Sequence, residues 1–327
     1  MHDFVEFIKD FKGKALILSH QNADADAVAS SIALFEGLKG LNDKIQVELG
    51  APRSVSKIGN QILESFGKGI EIDPDIDAGL LILIDVSTLN QLAPLDIAIN
   101  AADAKKAVID HHAPHDDTKG MADFYIVDED ASSCAELIYR LLKEGELDVD
   151  EEIGKAILIG IIADTAHLKF ASQDTLKVVN EILEKTGVTY DDVLTLLEMP
   201  EDISQKIAHL KAAQRLELYR VVDWVIVTSH VSAFGASAAR ALLSLGADIA
   251  FVASDTKDGI QVSSRATPEF LKKTGLHLGK DIMPKVGEMM SGSGGGHAGA
   301  AGAKGGGGVG EVLTECVKLV RDHLHAK

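Results

Sequence analysis

Short unbroken apolar runs alternate with segments of helical periodicity over the first half of the chain. ALILS (15–19), IQVEL (45–49), LLILI (80–84), KAVI (106–109) and ILIGIIA (157–163) are rich in Val, Ile and Leu. Such runs predict parallel strands buried on both faces. Between them AVASSIALFEGLKG (27–40), SCAELIYRLLKEG (133–145) and TLKVVNEILEKTG (175–187) carry apolar residues at helical spacing and end in glycine, as helices do. The pattern predicts a doubly wound, mostly parallel α/β domain over 1–187. From 188 to 220 the character is helical throughout, with SQKIAHLKAAQRLELYR free of Gly and Pro, and predicts a helical linker. A smaller α/β domain over 221–327 follows, with strands in VDWVIVT, ADIAFVAS and IQVSSR, a helix in ASAARALLSLG and a final helix near 309–325. The stretch GSGGGHAGAAGAKGGGG (292–308) reads as too long and too glycine-rich for a core element, yet ordered patterns flank it.

Length and composition agree with two ordered domains: 327 residues exceed one ordinary core, and 46% are hydrophobic. No apolar run approaches the ~18 residues of a membrane span, so a cytoplasmic protein with no membrane partner is expected. Cys134 and Cys316 form no CxxC pattern and read as buried small hydrophobes. The net charge of −18 is uneven: residues 1–187 hold 17 basic against 34 acidic side chains, and residues 188–327 hold 15 against 16. Thr256–Lys304 has seven basic residues and four acidic ones. A long duplex usually needs a broad basic face, whereas a short phosphorylated ligand or one strand end suits this distribution.

Four apolar runs end in side chains that bind metals. His20, Asp24 and Asp26 follow the first, Asp85 the third, Asp110-His111-His112 the fourth, and Asp164 the run ILIGIIA. Carboxyl ends of parallel strands share one sheet edge, where open α/β sheets bind ligands. A lone Asp at such a place is usually a helix N-cap, and Asp26 fits that description too, but four occurrences with histidines at two of them favour metal. If His20, Asp24 and Asp85 hold one ion and Asp26, Asp85, His111 and Asp164 another, four carboxylates balance two divalent cations. Imidazole and carboxylate without thiolate suit Mn²⁺, with Mg²⁺, Co²⁺ or Zn²⁺ as competitors. Two adjacent histidines at a strand end are expected to diverge, one toward metal and the other toward substrate. Paired ions clamp a phosphoryl group, so phosphoester hydrolysis is the implied reaction.

The set His20-Gln21-Asn22-Ala23-Asp24-Ala25-Asp26, Asp85, Asp110-His111-His112 and Asp164 in GIIADT resembles the DHH phosphoesterase superfamily. Gly294-Gly295-Gly296-His297 with Ala300-Ala301-Gly302, and Arg265 upstream, resemble that superfamily's associated C-terminal domain in its nuclease and cyclic-dinucleotide phosphodiesterase branch. The resemblance spans nearly the whole chain. It implies that His20, Asp24, Asp26, Asp85, His111 and Asp164 ligate two Mn²⁺, that His112 meets the scissile phosphate, and that Asp110 orients a neighbouring histidine. The family's first motif commonly has Pro and Gly where this chain has Ala23 and Ala25.

Gly294–Gly299 also matches GxGxxG, but no N-terminal βαβ unit or suitably spaced acid accompanies it, which disfavours NAD. Glycine backbone can cradle a phosphate, and the Arg265 fork suits one. Arg265, Gly295, Gly296, His297 and Asn22 are therefore the expected substrate contacts, with catalysis at Asp85, Asp110 and His112. His115 and His167 are further candidates by their nearness to these ligands. The expected activity is hydrolysis of short oligonucleotides or single-stranded ends to nucleoside monophosphates, the second domain holding the far end of the substrate across a cleft. A cyclic-dinucleotide phosphodiesterase, a 3′-phosphoadenosine phosphate phosphatase, a manganese inorganic pyrophosphatase and an accessory nuclease of a DNA-repair complex are the alternatives. A homo-oligomer, dimer or trimer, is expected from the apolar helices.

Overall fold

Six parallel strands form the first sheet: β1 (Gly13–Ser19), β2 (Ile45–Ala51), β3 (Glu71–Ile72), β4 (Leu80–Ile84), β5 (Lys105–Asp110) and β6 (Phe124–Val127). Their order is β3-β2-β1-β4-β5-β6, so the winding reverses between β1 and β4. The computed structural model describes residues 1–198, 202–256 and 259–325, and the chain divides into two compact units, Met1–Met199 and Pro200–Lys327.

Alternate residues of each central strand enter different layers. Ala15, Ile17, Leu80, Ile82 and Ile84 share a core with the helices Ala25–Leu41, Cys134–Glu144 and Glu151–Asp164, while Leu16, Leu18, Leu81 and Leu83 pack with Leu92, Ile99 and Val108. Both faces are dry, which is why these strands carry no polar alternation. Cys134 and Cys316 are buried free thiols. Among the described residues no helix is long and apolar enough to cross a membrane.

One expected strand is a helix. Residues 157–163 lie inside Glu151–Asp164, whose N-cap Asp150 accepts a hydrogen bond from the Ile153 amide and whose first turn carries Glu151 and Glu152. Ile157 to Ile162 are buried on every side. A helix without a solvent face shows no 3.6-residue polarity, and its apolar run cannot be told from a buried strand.

The second sheet is mixed: β7 (Glu217–Val221), β8 (Trp224–Val231), β9 (Ile249–Thr256), β10 (Gly259–Ala266), β11 (Ser293–Gly296) and β12 (Ala300–Gly305) lie in the order β11-β12-β10-β9-β8-β7. β8 and β9 are parallel and the other pairs antiparallel. The stretch 188–220 is not helix throughout. Tyr190–Leu197 places Val193 in the first core, Ile203–Gln214 places Ala208 and Ala212 in a core of the second unit, and the last residues form the edge strand β7. Leu216 and Tyr219 fit a helical repeat in sequence, but beyond Arg215 the chain gains its hydrogen bonds from β8 instead.

The glycine stretch is a core hairpin, contrary to the expectation from its composition. β12 sits between β11 and β10, with Ala301 and Ala303 buried. The helix Met283–Met289 and the π-helical turn Leu278–Ile282 approach this hairpin backbone to backbone. A Cβ on Gly294 would stand 1.9 Å from the Met283 carbonyl oxygen, and one on Gly279 would stand 2.0 Å from that of Gly296. Gly295 faces open space. Gly294→Ala should therefore destabilise the protein by about 2 kcal/mol or more through overpacking against rigid backbone, and Gly295→Ala by much less. Thermal melting of the two variants checks this, and equal midpoints would contradict the packing.

Candidate metal centre

The carboxyl ends of β1, β4 and β5 and the end of the helix Glu151–Asp164 bring the metal-binding side chains together. His20 follows β1. Its turn is anchored by hydrogen bonds from the Gln21 amide to the Gln91 carbonyl and from the Asn22 amide to the Ser54 carbonyl, both 2.8 Å. Asn22 takes the left-handed backbone this turn needs, φ 57°, a conformation Asn tolerates; its side chain is exposed. Asp24, not Asp26, is the N-cap of the helix Ala25–Leu41, accepting from the Ala27 amide. Asp26 lies in the first turn, 1% exposed. It accepts from the Cys134 and Ala135 amides at 2.7 and 3.1 Å and from the Ser30 hydroxyl at 3.1 Å. The start of a second helix thus aims its free N–H groups at this carboxylate.

Asp85 sits at the centre. Its amide donates to the Ile109 carbonyl at 3.0 Å, and a φ of 58° then turns the chain out of β4. Its carboxylate lies 3.7 Å from His20 Nε2 and 3.6 Å from His111 Nε2. His20 Nε2 is also 3.9 Å from Asp24, and His111 Nε2 is 3.1 Å from Asp164. Donor atoms of His20, Asp24 and Asp85 lie within 4.8 Å of one another, as do those of Asp26, His111 and Asp164 and those of Asp85, His111 and His112.

The two adjacent histidines do not diverge. Beyond β5 the backbone bends, strand alternation no longer applies, and both rings turn toward Asp85 with centroids 4.3 Å apart. His111 is largely covered and His112 half exposed. Asp110, buried, accepts from His112 Nδ1 at 2.8 Å and from its amide at 3.2 Å. A carboxylate can only accept, so Nδ1 carries the proton and Nε2 is left for another partner. Burial pushes Asp110 upward, but this bond prevails and holds it below the usual carboxylate range.

The residues fit divalent cations. Asp85 Oδ1 is buried, the whole residue 4% exposed, and it has no hydrogen-bond donor; His112 Nδ1 lies 3.3 Å away, but its proton goes to Asp110. Burial, with repulsion from Asp85 and Asp164, pushes Asp26 up to about 8. Burial alone would lower His20, but Asp24, the Gln21 carbonyl and Asp85 outweigh it and lift it to about 9. Clustered carboxylates that draw protons this strongly lack positive charge, and buried anions need it. The donor set of imidazole and carboxylate matches Mn²⁺ and related ions.

Sequence reasoning passed over Gly160, Ser30 and the Cys134 and Ala135 amides. A Cβ on Gly160 would stand 2.4 Å from Asp26 Oδ1 and 2.5 Å from the Ala135 Cβ. A single glycine within an Ile- and Leu-rich run was the signal; the amide donors left none in side-chain chemistry. His115 caps the short helix Asp116–Met121, and His167 lies exposed in the turn after Asp164. In the second unit Arg265, at the end of β10, pairs with Ala300, and His297 occupies the β11–β12 turn, so both lie at one end of that sheet. Burial and the charge of Arg240 lower Arg265 from its ordinary value. Gly295 is open, whereas Gly296, φ 137°, packs on Ala301.

Residues 14–161 match the DHH family, N-terminal domain, and residues 226–326 match the DHHA1 domain. The chain is 34% identical over 303 residues, 90% of its own length and 88% of the other's, to the uncharacterized protein MJ0988 of Methanocaldococcus jannaschii. It is 29% identical over 215 residues to a probable manganese-dependent inorganic pyrophosphatase of Streptococcus agalactiae, covering 60% of this chain and 63% of that protein. A crystal structure of an exopolyphosphatase-related protein from Bacteroides fragilis shares the fold, with a TM-score of 0.65 at 19% identity over 99% of this chain and 95% of that one. With both domains in order along its sequence, the protein belongs to the DHH family of phosphoesterases.

Proposed function

We propose that this protein is a two-metal phosphodiesterase that releases nucleoside monophosphates from short oligonucleotides or single-stranded ends. The observation that carries this reading is Asp85, a buried carboxylate with one unpaired oxygen, flanked by His20 and Asp24 on one side and by Asp26, His111 and Asp164 on the other. In this reading His20 and Asp24 on one flank and Asp26, His111 and Asp164 on the other would each hold an ion, with Asp85 available to both. Mn²⁺ is the favoured metal, and Mg²⁺ or Co²⁺ are substitutes. When bound, such a pair supplies Lewis acidity to a phosphoryl oxygen and to the hydrolytic water.

The chain's own side chains do the rest. Asp110, with Asp85 nearby, lifts His112 to about 10, so the ring carries a proton on both nitrogens, and Nε2–H can donate to the substrate phosphate or protonate the departing oxygen. Asp26, Ser30 and the two amides of the helix Cys134–Glu144 keep the far side of the cluster rigid. The further substrate contacts of this reading are Arg265, Gly295, Gly296 and His297 in the second unit and Asn22 in the turn after β1. A homo-oligomer fits the exposed Ile203, Ile207 and Leu210, which share one face of the helix Ile203–Gln214. The pyrophosphatase relative supports a second reading, in which the substrate is inorganic pyrophosphate.

Mononucleotide release from a dinucleotide with Mn²⁺, abolished by chelator, is the expected result; release of orthophosphate from pyrophosphate in its place would favour the second reading. Asp85→Asn should lower kcat/KM by about a thousandfold or more, a loss on the scale of an electrostatic group essential to the transition state, with a native circular-dichroism spectrum; wild-type rates would remove Asp85 from its role. Gly160→Ala should displace Asp26 and weaken Mn²⁺ binding at least several-fold by titration, and unchanged affinity would show that Asp26 is not a ligand. Arg265→Ala should raise KM on short substrates by roughly ten- to a hundredfold, the scale of one lost charged hydrogen bond. A loss in kcat alone would contradict its binding task.

A further inference from the structure

The chain leaves Asp164 through a turn with an uncommon backbone. Ala166, His167 and Leu168 have φ of 49°, 59° and 66°, three left-handed residues in succession and none of them glycine. Residues with a Cβ enter that region singly and at a cost, and outliers of this kind persist where their surroundings over-determine them. Here the buried Thr165 hydroxyl donates to the Ile161 carbonyl at 2.6 Å and accepts from the Leu168 amide at 3.1 Å. The His167 amide donates to the Ile162 carbonyl at 2.9 Å, the Phe170 amide donates to the Thr165 carbonyl at 3.0 Å, and Leu168 packs on the core.

The constraint delivers an aromatic ring to solvent. Phe170 is 68% exposed, while every other described Phe and Tyr of the first unit is at least half covered. Its amide is bonded to the carbonyl of Thr165, the residue after Asp164, so the backbone that carries the ring closes a turn directly beyond that member of the cluster. Lys169 Nζ lies over the ring, 5.2 Å from its centroid, which joins a cation to this exposed aromatic in a unit that is otherwise strongly acidic. A bare phosphate or pyrophosphate would use the cation and has no use for the ring. A nucleotide uses both, since every nucleobase offers a face that stacks on an aromatic side chain.

We propose that Phe170 is the stacking platform for the base of the nucleotide whose phosphate reaches the metal cluster, which makes the substrate a nucleotide ester. The inference rests on the phosphodiesterase reading above and deepens it. Stacking is tolerant of base identity, so the platform selects for a base and not among bases.

The experiment compares wild type, Phe170→Ala and Phe170→Trp on a dinucleotide and on the same backbone with abasic sugars, with Mn²⁺, together with AMP binding by saturation-transfer NMR and oligomeric state by gel filtration. Phe170→Ala should raise KM for the dinucleotide about tenfold with kcat little changed, and weaken AMP to the same degree, the scale of one lost base stack. Phe170→Trp should restore both, and on the abasic substrate wild type and Phe170→Ala should coincide. An unchanged KM, an equal loss on both substrates, or a loss that tracks a change in oligomeric state overturns the inference while leaving an active phosphodiesterase. A wild-type protein that cleaves no dinucleotide overturns the phosphodiesterase reading itself, and this inference with it.

Discussion

Crowding of negative charge at a buried sheet edge is the constraint around which the first unit is organised. Asp26 and Asp85 are withdrawn from water, face Asp24 and Asp164 across a few ångströms, and are only partly compensated by His20 and His111. Without cations such a cluster costs several kcal/mol per uncompensated ion, and the rest of the unit can be read as what makes that cost bearable. Two helix starts point at it: Ala25–Leu41 carries Asp24 as its cap and Asp26 in its first turn, and Cys134–Glu144 donates two backbone amides to Asp26. The sheet contributes by topology, because the winding reverses between β1 and β4 and opens a gap where His20 and Asp85 emerge side by side.

Close backbone approach is the second device, and both units use it. Gly160 lets the apolar run 157–163 of the helix Glu151–Asp164 come down on Asp26, and Gly279, Gly287 and Gly294 let the elements 278–289 lie directly on the β11–β12 hairpin. In each case the absent Cβ matters more than conformational freedom. The glycine-dense stretch therefore has a packing role as well as its proposed binding role, and the two separate residue by residue: Gly294 is locked against Met283, while Gly295 faces solvent space.

Much of this was legible in the chain. LLILI and KAVI announce doubly buried strands, and the polar residues that follow them lie at the sheet edge their position implied. The convergence of His20, Asp85 and His111 was readable because parallel strands must deliver their ends to one side, whereas Asp164 arrives from the end of a helix. What escaped was non-local. ILIGIIA reads equally as strand or helix, and only its packing against Ala25–Leu41 and Cys134–Glu144 decides for helix. Glu217–Val221 reads as the tail of an amphipathic helix until β8 is there to pair with it. The glycines of 292–308 look like a coil until Met283–Met289 is laid on them, and the two histidines after β5 converge because the backbone bends where alternation was assumed.

The direct question is whether one carboxylate serves two cations. Anomalous scattering from crystals grown with Mn²⁺ answers it without reference to any substrate. Two manganese peaks about 3.5–4 Å apart, with Asp85 ligating both, His20 and Asp24 on one and Asp26, His111 and Asp164 on the other, is the predicted result. A single peak, or two ions that leave Asp85 uncoordinated, would contradict it.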